Sequence, residues 1–369
     1  MDDRFEIFLA CAPGLEPVLL AEARAIWPDA AQVAGGVTIT GGWSDVWRAN
    51  LNLRGATRVL ARIGSFRAMH LAQLDKRARK FDWAAVLRRD VPVRVDTTCR
   101  ASRIYHAGAA SQRIARAIAE TLGAPVVDKG EAITIKARIE DDLVTISVDT
   151  SGDSLHKRGH KAAVSKAPMR ETLAALFLRD CGFSGAEPVL DPMCGSGTFV
   201  IEAAEIAAGL QPGRTRDFAF QQLATADPAA LATLRQPIPV RTPAARFYGS
   251  DRDAGAIRAA SQNAQSAGVG GWCDFQTLPV SALERPEGPP GLVIVNPPYG
   301  ARIGNKGPLF GLHAALGKTL LDKFGGWRVG IVTSEAGLAR ATGLPLLPPG
   351  PIVDHGGLKI RLHRTNPLP

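Results

Sequence analysis

The sequence predicts an α/β protein with a doubly wound parallel sheet in its C-terminal half and a smaller α+β region before it. From about residue 187 onward, short apolar strands alternate with helical segments. This alternation is typical of βαβ units whose helices cover both faces of a sheet. The turn Gly195-Ser196-Gly197 joins the first of these strands to a helix. The N-terminal half instead mixes paired strands with single helices.

The N-terminal region, residues 1–55, has the order strand, helix, strand, helix. Residues 5–11 predict a strand, and residues 15–27 predict an amphipathic helix after a Pro-Gly turn. Residues 35–41 predict a second strand, which a helix over 43–53 follows. This order resembles half of a ferredoxin-like unit.

The next region, residues 56–150, predicts a second α+β unit. Residues 91–99 alternate apolar and polar side chains as a strand does, and residues 107–123 predict a helix. The stretch that follows predicts a hairpin that turns at residues 140–142. We expect a separate folded region here, before the chain becomes polar and basic.

A polar, basic stretch over residues 151–165 predicts a linker, and residues 166–369 predict the C-terminal domain. The alternation of strands and helices in this domain has one interruption. Residues 210–245 are rich in Pro, Gln and Ala and predict an insertion. The segment HGGLKIRLHR near the C-terminus predicts the final hairpin of the sheet.

Composition excludes several classes of protein. The 369 residues are 46% hydrophobic and 21% charged, which is typical of globular domains. No apolar stretch approaches the roughly 18 residues that span a bilayer, and the N-terminus lacks a signal-peptide pattern. The five cysteines are scattered without a Cys-x-x-Cys pair, which argues against disulfides and zinc. We therefore expect a cytoplasmic protein without a metal. The sequence leaves the oligomeric state open, with a monomer as the preferred expectation.

Positive charge is concentrated in one region. The net charge of the chain is +9, but Arg48 to Arg116 holds 16 Lys or Arg against four Asp and no Glu, a local net charge of +12. Such a basic block in a folded region is typical of a polyanion-binding surface. The alternative is an arginine-rich surface that only keeps the protein in solution.

The glycine turn predicts a nucleotide-like ligand. Glycines allow a sharp turn and close approach of the backbone, and the next helix offers unpaired N–H groups. The turn lacks the lysine of a phosphate-binding loop, and Val200 stands where a dinucleotide fold has its third glycine. The following strand ends at Asp251, where an acid binds ribose hydroxyls in such sheets. The alternative for Asp251 is a cap of the following helix.

A second motif, Asn296-Pro297-Pro298-Tyr299, ends another apolar strand. Proline has no N–H, so the carbonyls of Asn296 and Pro297 are predicted to face outward as acceptors. Two acceptors on an exocyclic amine free its lone pair for attack on an electrophile. Tyr299 could stack on the flat base, as in sites for flipped bases. The alternative is a proline-rich turn with a surface tyrosine.

These motifs resemble a known family. DPMCGSG, GSD and NPPYG are similar to class I S-adenosylmethionine-dependent methyltransferases that act on exocyclic amino nitrogens. With LHKRGHK, APMRETLAA and the basic N-terminal half, the chain resembles THUMP-domain RNA guanine-N2 methyltransferases, close to the bacterial 23S rRNA enzymes. The resemblance implies a Rossmann-like sheet, a THUMP domain over 56–150 and S-adenosylmethionine as cofactor.

The resemblance implies methylation of guanine N2 in RNA, with 23S rRNA ahead of tRNA as the substrate. Asn-Pro-Pro-Tyr also serves methylation of adenine N6 and of protein glutamine, and the basic block favours RNA over protein. An RNA-binding protein with a retired methyltransferase fold is a further alternative. Intact Asp251 and Asn296 argue against it.

The resemblance and the charge pattern together assign roles to three groups of residues. The amine pocket is expected to contain Asn296, Pro297 and Tyr299. The cofactor is expected to contact Asp191, Pro192, Cys194, Gly195, Gly197, Thr198, Asp251 and Asn296. RNA is expected to contact Lys76, Arg77, Arg79, Lys80, Arg88, Arg89, Lys157, Arg158 and Lys161.

The chain departs from the family pattern at two places. His160 and Lys161 stand where relatives carry a Tyr-Arg pair, so an aromatic residue is replaced. Pro279 occupies the position at which relatives often have an acid that contacts adenine, and Asp274 is expected just before the strand. The adenine contact is therefore not assigned from the sequence.

Overall fold

The computed structural model describes residues 4–160, 169–236, 240–298 and 307–369. The chain divides into two compact units. The first consists of Met1–Cys11, Ala23–Leu155 and Arg216–Gln236, and the second of Ala12–Glu22, His156–Thr215 and Pro237–Pro369. One division between the units lies between Leu155 and His156.

One seven-stranded sheet runs through the first unit, in the order β2-β3-β1-β4-β7-β6-β5. The strand β4 pairs with both β1 and β7, so the ferredoxin-like region and the region after it share a single sheet. Only β5 and β6 are paired in parallel among these neighbours. The strands are β1 (Phe5–Ala10), β2 (Ala31–Val33), β3 (Gly36–Gly41), β4 (Arg58–Arg67), β5 (Val93–Arg100), β6 (Ile133–Glu140) and β7 (Leu143–Asp149).

The helices of the N-terminal half follow the apolar periodicity of the sequence. They are α1 (Glu16–Arg24), α2 (Trp43–Asn52), α3 (Leu71–Ala78) and α4 (Ala107–Leu122). A histidine caps α3 and another caps α4: His70 Nδ1 accepts from Gln73 N at 3.2 Å, and His106 Nδ1 accepts from Ala109 N at 3.0 Å. Gly123 ends α4 at φ +79°, a conformation that favours glycine. The predicted helix over 107–123 is confirmed.

Part of the expected insertion belongs to the first unit, although it lies far along the chain. Residues Arg216–Gln236 group with that unit and include α7 (Pro228–Leu234). The Arg216 guanidinium donates to the carbonyls of Ser151, Asp153 and Ser154. A guanidinium offers five donors in a fixed geometry, so Arg216 can bind three carbonyls at once. These bonds fix the backbone of residues 151–154.

A second seven-stranded sheet forms the core of the second unit, in the order β10-β9-β8-β11-β12-β14-β13. The five strands from β10 to β12 run parallel, and β14 pairs antiparallel with both β12 and β13. The predicted final hairpin is therefore confirmed. The strands are β8 (Val189–Asp191), β9 (Phe247–Asp251), β10 (Cys273–Thr277), β11 (Leu292–Val295), β12 (Arg328–Thr333), β13 (Val353–His355) and β14 (Leu358–Arg364).

Helices flank this parallel sheet, and its central strands are buried. Leu292, Val293, Ile294 and Val295 of β11 are each at most 1% exposed, which is typical of a strand covered on both faces. The helices are α5 (Glu171–Asp180), α6 (Thr198–Ala208), α8 (Ala254–Ser266), α9 (Gly307–Lys323) and α10 (Ala336–Ala341). The predicted doubly wound fold is confirmed. Within the described ranges, no helix is long and apolar enough to cross a membrane.

Candidate active site

The order in which the chain adds strands to the second sheet reverses at β8. This reversal brings the sequence motifs to one edge of the sheet. The chain runs outward from β8 through β9 to β10 on one side, and through β11 to β12 on the other. Val189 of β8 aligns with Phe247 of β9 and with Leu292 of β11. The carboxyl ends of β8, β9 and β11 therefore lie side by side, at the position where open α/β sheets bind ligands.

The glycine turn leaves β8 and enters α6 in a conformation that requires glycine. Gly195 has φ +53° and Gly197 has φ +83°, and side chains are strained in this region. A Cβ on Gly197 would also lie 3.1 Å from Ala260 Cβ. Asn263 Nδ2 donates to the Ser196 carbonyl at 3.1 Å, so α8 holds the middle of the turn.

Asp251 ends β9 beside this turn. Its Oδ2 accepts from Gly195 N at 3.1 Å, and its Oδ1 accepts from Asp253 N at 3.0 Å. The cap of α8 is Asp253, whose side chain accepts from Gly255 N, so the alternative of Asp251 as the helix cap is wrong. A carboxylate has about four acceptor sites, and Asp251 can still accept from ribose hydroxyls.

Asp191, at the end of β8, is 2% exposed. Its Oδ1 accepts from Met193 N at 3.0 Å. Burial raises the pKa of Asp191 to about 8; the bond from Met193 opposes the rise, and the Asp251 carboxylate adds to it. The carboxyl group is therefore largely protonated at neutral pH, and a cation placed beside it would favour the charged form.

The remaining residues expected to contact the cofactor are buried in the turn. Cys194 is 6% exposed, donates its backbone N–H to the Ser250 carbonyl, and has Sγ 3.1 Å from the place of a Cβ on Gly249. Burial raises the pKa of the Cys194 thiol, and Asp191 and Asp251 raise it further. The thiol stays protonated and acts as a packing group.

Pro192 is buried, and Thr198 faces a small cavity behind the turn. Thr198, His160, Glu202 and Asn263 are among the residues that line this cavity, whose volume is about 10 Å³. That volume suits a single water molecule.

Asn296 directly follows β11 at the same edge. Its Oδ1 is inaccessible to solvent and has no hydrogen-bond partner among the described residues. Pro297 is buried and Pro298 is exposed, and neither proline has an N–H to donate. A buried acceptor without a donor is unfavourable unless a ligand supplies one. Tyr299 lies outside the described residues.

Arg158 does not belong with the RNA-binding residues, and its assignment to that group was wrong. Its side chain is 2% exposed, and its Nε lies 2.9 Å from Oε1 of Glu202, which is equally buried. A phosphate on the surface cannot reach this guanidinium. The neighbouring Lys157 is exposed, whereas Lys161 lies outside the described residues.

His160 is part of the same buried polar cluster. Its Nε2 lies 3.4 Å from Oε1 of Glu205, and Arg214 donates to that oxygen at 2.5 Å. Burial is the largest cause that lowers the pKa of His160, Glu205 opposes it, and Arg214 lowers the pKa further. His160, which stands where relatives carry a tyrosine, is therefore a buried side chain of the second unit.

The other basic residues expected to bind RNA differ in their partners. Lys76, Arg77, Lys80 and Arg89 are exposed, and no ion pair joins them to any of the described carboxylates. Two more form ion pairs at 2.5 Å: Arg79 with Glu120 and Arg88 with Asp90. Contact with phosphate would compete with these pairs.

Two residues near the turn escaped the sequence analysis. Phe275 lies against both Gly249 and Gly197, with ring atoms 2.6 Å and 3.3 Å from where their Cβ atoms would be. The sequence indicated this close packing only through Gly249 of the GSD motif, since a glycine allows a neighbouring side chain to approach the backbone. Asn263 carries no sequence signal, because its role depends on a contact between α8 and the turn.

The expectation for Asp274 was wrong. Asp274 lies inside β10 and pairs with Arg246 through two hydrogen bonds, at 2.6 Å and 2.8 Å. Pro279 is exposed and precedes a short 3-10 turn. Pro279 offers no carboxylate to the adenine amine, and the Asp274 carboxylate already accepts hydrogen bonds from Arg246.

The site fits S-adenosylmethionine on its chemistry. The cofactor carries a sulfonium and an ammonium group, and the buried Asp191 lacks a compensating charge of the kind a cation supplies. Its ribose needs acceptors, which Asp251 offers at the end of the second strand. The described residues contain no group of His, Cys, Asp and Glu side chains that could hold a metal ion.

Family models match three successive parts of the chain. The RlmL ferredoxin-like domain matches residues 6–60, and the THUMP domain matches residues 68–149. The RMKL-like methyltransferase domain matches residues 158–344. These matches follow the order of the expected N-terminal, THUMP and methyltransferase regions.

Similar proteins agree with the family matches. The chain is 34% identical over 362 residues to the ribosomal RNA large subunit methyltransferase K/L of Chromohalobacter salexigens, covering 92% of this chain and 49% of that protein. The chain thus spans about half the length of the curated relatives it matches.

Two solved structures share the fold. A possible methylase from Clostridium difficile 630 has a TM-score of 0.88 and 28% identity, and the match covers 100% of this chain and 99% of that one. The putative methyltransferase SMU.472, solved with SAH, has a TM-score of 0.86 and 25% identity, with 100% of each chain covered. S-adenosylmethionine is accordingly the cofactor, and the chain belongs to the RMKL-like methyltransferase family.

Proposed function

We propose that this protein transfers a methyl group from S-adenosylmethionine to the exocyclic N2 of a guanine in 23S rRNA. The observation that carries this proposal is Asn296 Oδ1, a buried acceptor without a donor among the described residues. It lies just past β11, beside the strand that ends at Asp191. An amine bound there would supply the missing donor.

The guanine amine is a poor nucleophile because its lone pair is delocalised into the ring. In the proposed site, Asn296 Oδ1 and the Pro297 carbonyl accept its two hydrogens and draw the lone pair out of conjugation. Bound S-adenosylmethionine supplies an electrophilic methyl group. Pro297 and Pro298 limit the backbone of this turn, which keeps the two acceptors in place. We propose that Tyr299 stacks on the base.

RNA as the substrate is supported by three features. The relative from Chromohalobacter salexigens is named as a ribosomal RNA methyltransferase. A THUMP domain matches residues 68–149, and that part of the chain carries the exposed residues Lys76, Arg77, Lys80 and Arg89. Exposed cations suit phosphate contacts, which position RNA without reading its sequence. A ribosomal substrate would place the protein in the cytoplasm.

The experiment that tests this proposal is nucleoside analysis of RNA after reaction with the purified chain. Unmodified 23S rRNA and tRNA from a strain that lacks the gene would each be incubated with labelled S-adenosylmethionine and digested to nucleosides. We expect labelled N2-methylguanosine from 23S rRNA. If labelled N2-methylguanosine comes from tRNA alone, the substrate is tRNA and not 23S rRNA. If the labelled product is N6-methyladenosine, the target atom is N6 of adenine and not N2 of guanine.

A further inference from the structure

The side chain of Tyr105 is 84% exposed, more than any other exposed large hydrophobic side chain in the described part of the chain. It lies in the loop between β5 and α4 of the first unit, directly before the cap His106. A single exposed aromatic residue is ordinary on a protein surface. Tyr105 differs from such a residue because its loop is held in place and carries two exposed arginines.

The loop that carries Tyr105 is held by hydrogen bonds to the turn between β6 and β7. Arg103 N donates to Asp142 Oδ1 at 2.8 Å, and Asp142 N donates to Ser102 Oγ at 3.1 Å. Ser102 Oγ in turn donates to the Arg100 carbonyl at 2.8 Å. The ring therefore projects from an anchored backbone, which lowers the entropy lost when a ligand binds to it.

Two arginines near Tyr105 in this loop have highly exposed side chains: Arg100 is 79% and Arg103 is 69% exposed. Their nearest carboxylates, on Glu140 and Asp142, lie 3.6 Å and 3.7 Å away, too far for good hydrogen bonds. Exposed ion pairs of this kind contribute little free energy. Both guanidinium groups can therefore exchange these partners for phosphates.

The same edge of the sheet brings a second loop beside the first. The strands β4 and β5 run in one direction, since β4 is antiparallel to β7, β7 to β6, and β6 parallel to β5. The segments that follow them meet where Arg103 Nη1 lies 3.0 Å from Sδ of the exposed Met69. An exposed apolar side chain therefore lies beside one of the two arginines of this surface.

We propose that Tyr105, Arg100 and Arg103 bind a single-stranded segment of RNA, with a base stacked on the tyrosine ring and phosphates on the arginines. This inference rests on the proposed RNA substrate and adds the form of RNA that the first unit recognises. Unpaired bases stack on exposed aromatic rings, whereas the bases of a duplex already stack on each other. The surface therefore selects single-stranded over double-stranded RNA.

The test measures binding of a short fluorescein-labelled single-stranded RNA to the full chain at several salt concentrations. Tyr105→Ala should weaken binding about 5- to 150-fold, as expected for removal of one base–aromatic stack. The slope of log K against log salt should not change, because stacking releases no counterions. Arg103→Ala should make the slope shallower by about 0.7, as expected for loss of one phosphate contact on a single strand.

Tyr105→Phe is the matched control, because it keeps the ring and removes only the hydroxyl. It should bind as tightly as the unaltered chain. The same RNA annealed to its complement should bind more weakly and should not distinguish Tyr105→Ala from the unaltered protein. Equal binding of the single strand by Tyr105→Ala and the unaltered chain would overturn the inference.

The outcome separates this inference from the proposed function. If the unaltered chain methylates 23S rRNA but Tyr105→Ala binds and methylates equally well, only the Tyr105 surface is disproved. If the unaltered chain neither binds nor methylates any RNA while it still binds S-adenosylmethionine, the proposed substrate itself is wrong. Circular dichroism of each variant would exclude a loss of fold as the cause.

Discussion

Asp251 ends β9 and Asn296 directly follows β11, the two strands that flank β8 in one sheet, and the proposed mechanism gives them different tasks. Asn296→Ala removes an acceptor for the target amine, so methyl transfer should be abolished while S-adenosylmethionine affinity changes little. Asp251→Ala should do the reverse and weaken cofactor binding by about 1.5–3 kcal/mol, as expected for hydrogen bonds to a charged group. Calorimetric titration and single-turnover methylation distinguish the two effects. Equal loss of both functions in Asn296→Ala would contradict its assignment.

The protonation of Asp191 predicts how stability depends on pH. Its pKa rises from 3.8 to about 8 in the fold, so between these values the folded chain holds a proton that the unfolded chain has released. Stability from this group therefore falls as pH rises from about 4 to 8. Asp191→Asn keeps the neutral form, and it should raise the melting temperature more at pH 8 than at pH 4. An equal change at both pH values would disprove this.

The same carboxyl group predicts a proton linkage in cofactor binding. A cationic ligand favours the charged form of Asp191, so binding should release a proton below the pKa of about 8. The affinity for S-adenosylmethionine should then rise with pH up to that value and level off. Asp191→Asn should bind more weakly and lose this dependence in the same titrations.

Arg158 and Lys157 are adjacent basic residues with opposite environments, and this difference predicts unequal effects. Arg158→Ala removes one member of the buried ion pair with Glu202, and breaking a pair of this kind typically destabilises a protein by about 3–5 kcal/mol. Lys157→Ala should lower the stability much less, because its side chain is exposed. Denaturant unfolding of the two variants checks this. Equal stability of both would contradict the buried ion pair.

At the scale of elements, α3 and the two residues that follow it, Arg79 and Lys80, form a basic surface of the first unit. Lys76, Arg77 and Lys80 are exposed there, whereas Arg79 is paired with Asp75 and Glu120. Neutralising the three exposed residues together should weaken RNA binding and lower the salt slope by about 0.7–0.9 for each phosphate that the variant no longer binds. Cofactor affinity should not change, because the glycine turn belongs to the second unit.

The matched control neutralises three exposed lysines elsewhere, Lys129, Lys318 and Lys359. It removes the same net charge, so it accounts for any effect of overall charge on RNA affinity. An unchanged slope in the α3 variant, or an equal change in the control, would show that α3 only keeps the protein in solution.

Elements were predicted well where the local pattern was strong. The strand over 5–11, the helix over 107–123 and the hairpin at 140–142 all formed, because each depends on periodicity within a short segment. The expected insertion was harder to interpret. Its central part belongs to the first unit through Arg216, a long-range contact that periodicity cannot reveal.

At the scale of the whole molecule, the two compact units predict unfolding that is not two-state. The glycine turn, Asp251 and Asn296 all lie in the second unit. Saturating S-adenosylmethionine should therefore stabilise only the transition of that unit, by about 2.7 kcal/mol at a hundredfold excess over Kd. Differential scanning calorimetry with and without the cofactor measures this. A single transition that shifts as a whole would show that the units unfold together.

The sequence by itself determined the fold class, the order of the elements and the place of Asp191, Asp251 and Asn296 at strand ends. These follow from local periodicity, and parallel strands necessarily bring their carboxyl ends to one edge. Only the tertiary structure decided which charges are available. Arg158 and Lys157 are alike as sequence, yet burial against Glu202 removes one from the surface, because the energy of a charge depends on its surroundings and not on its neighbours along the chain.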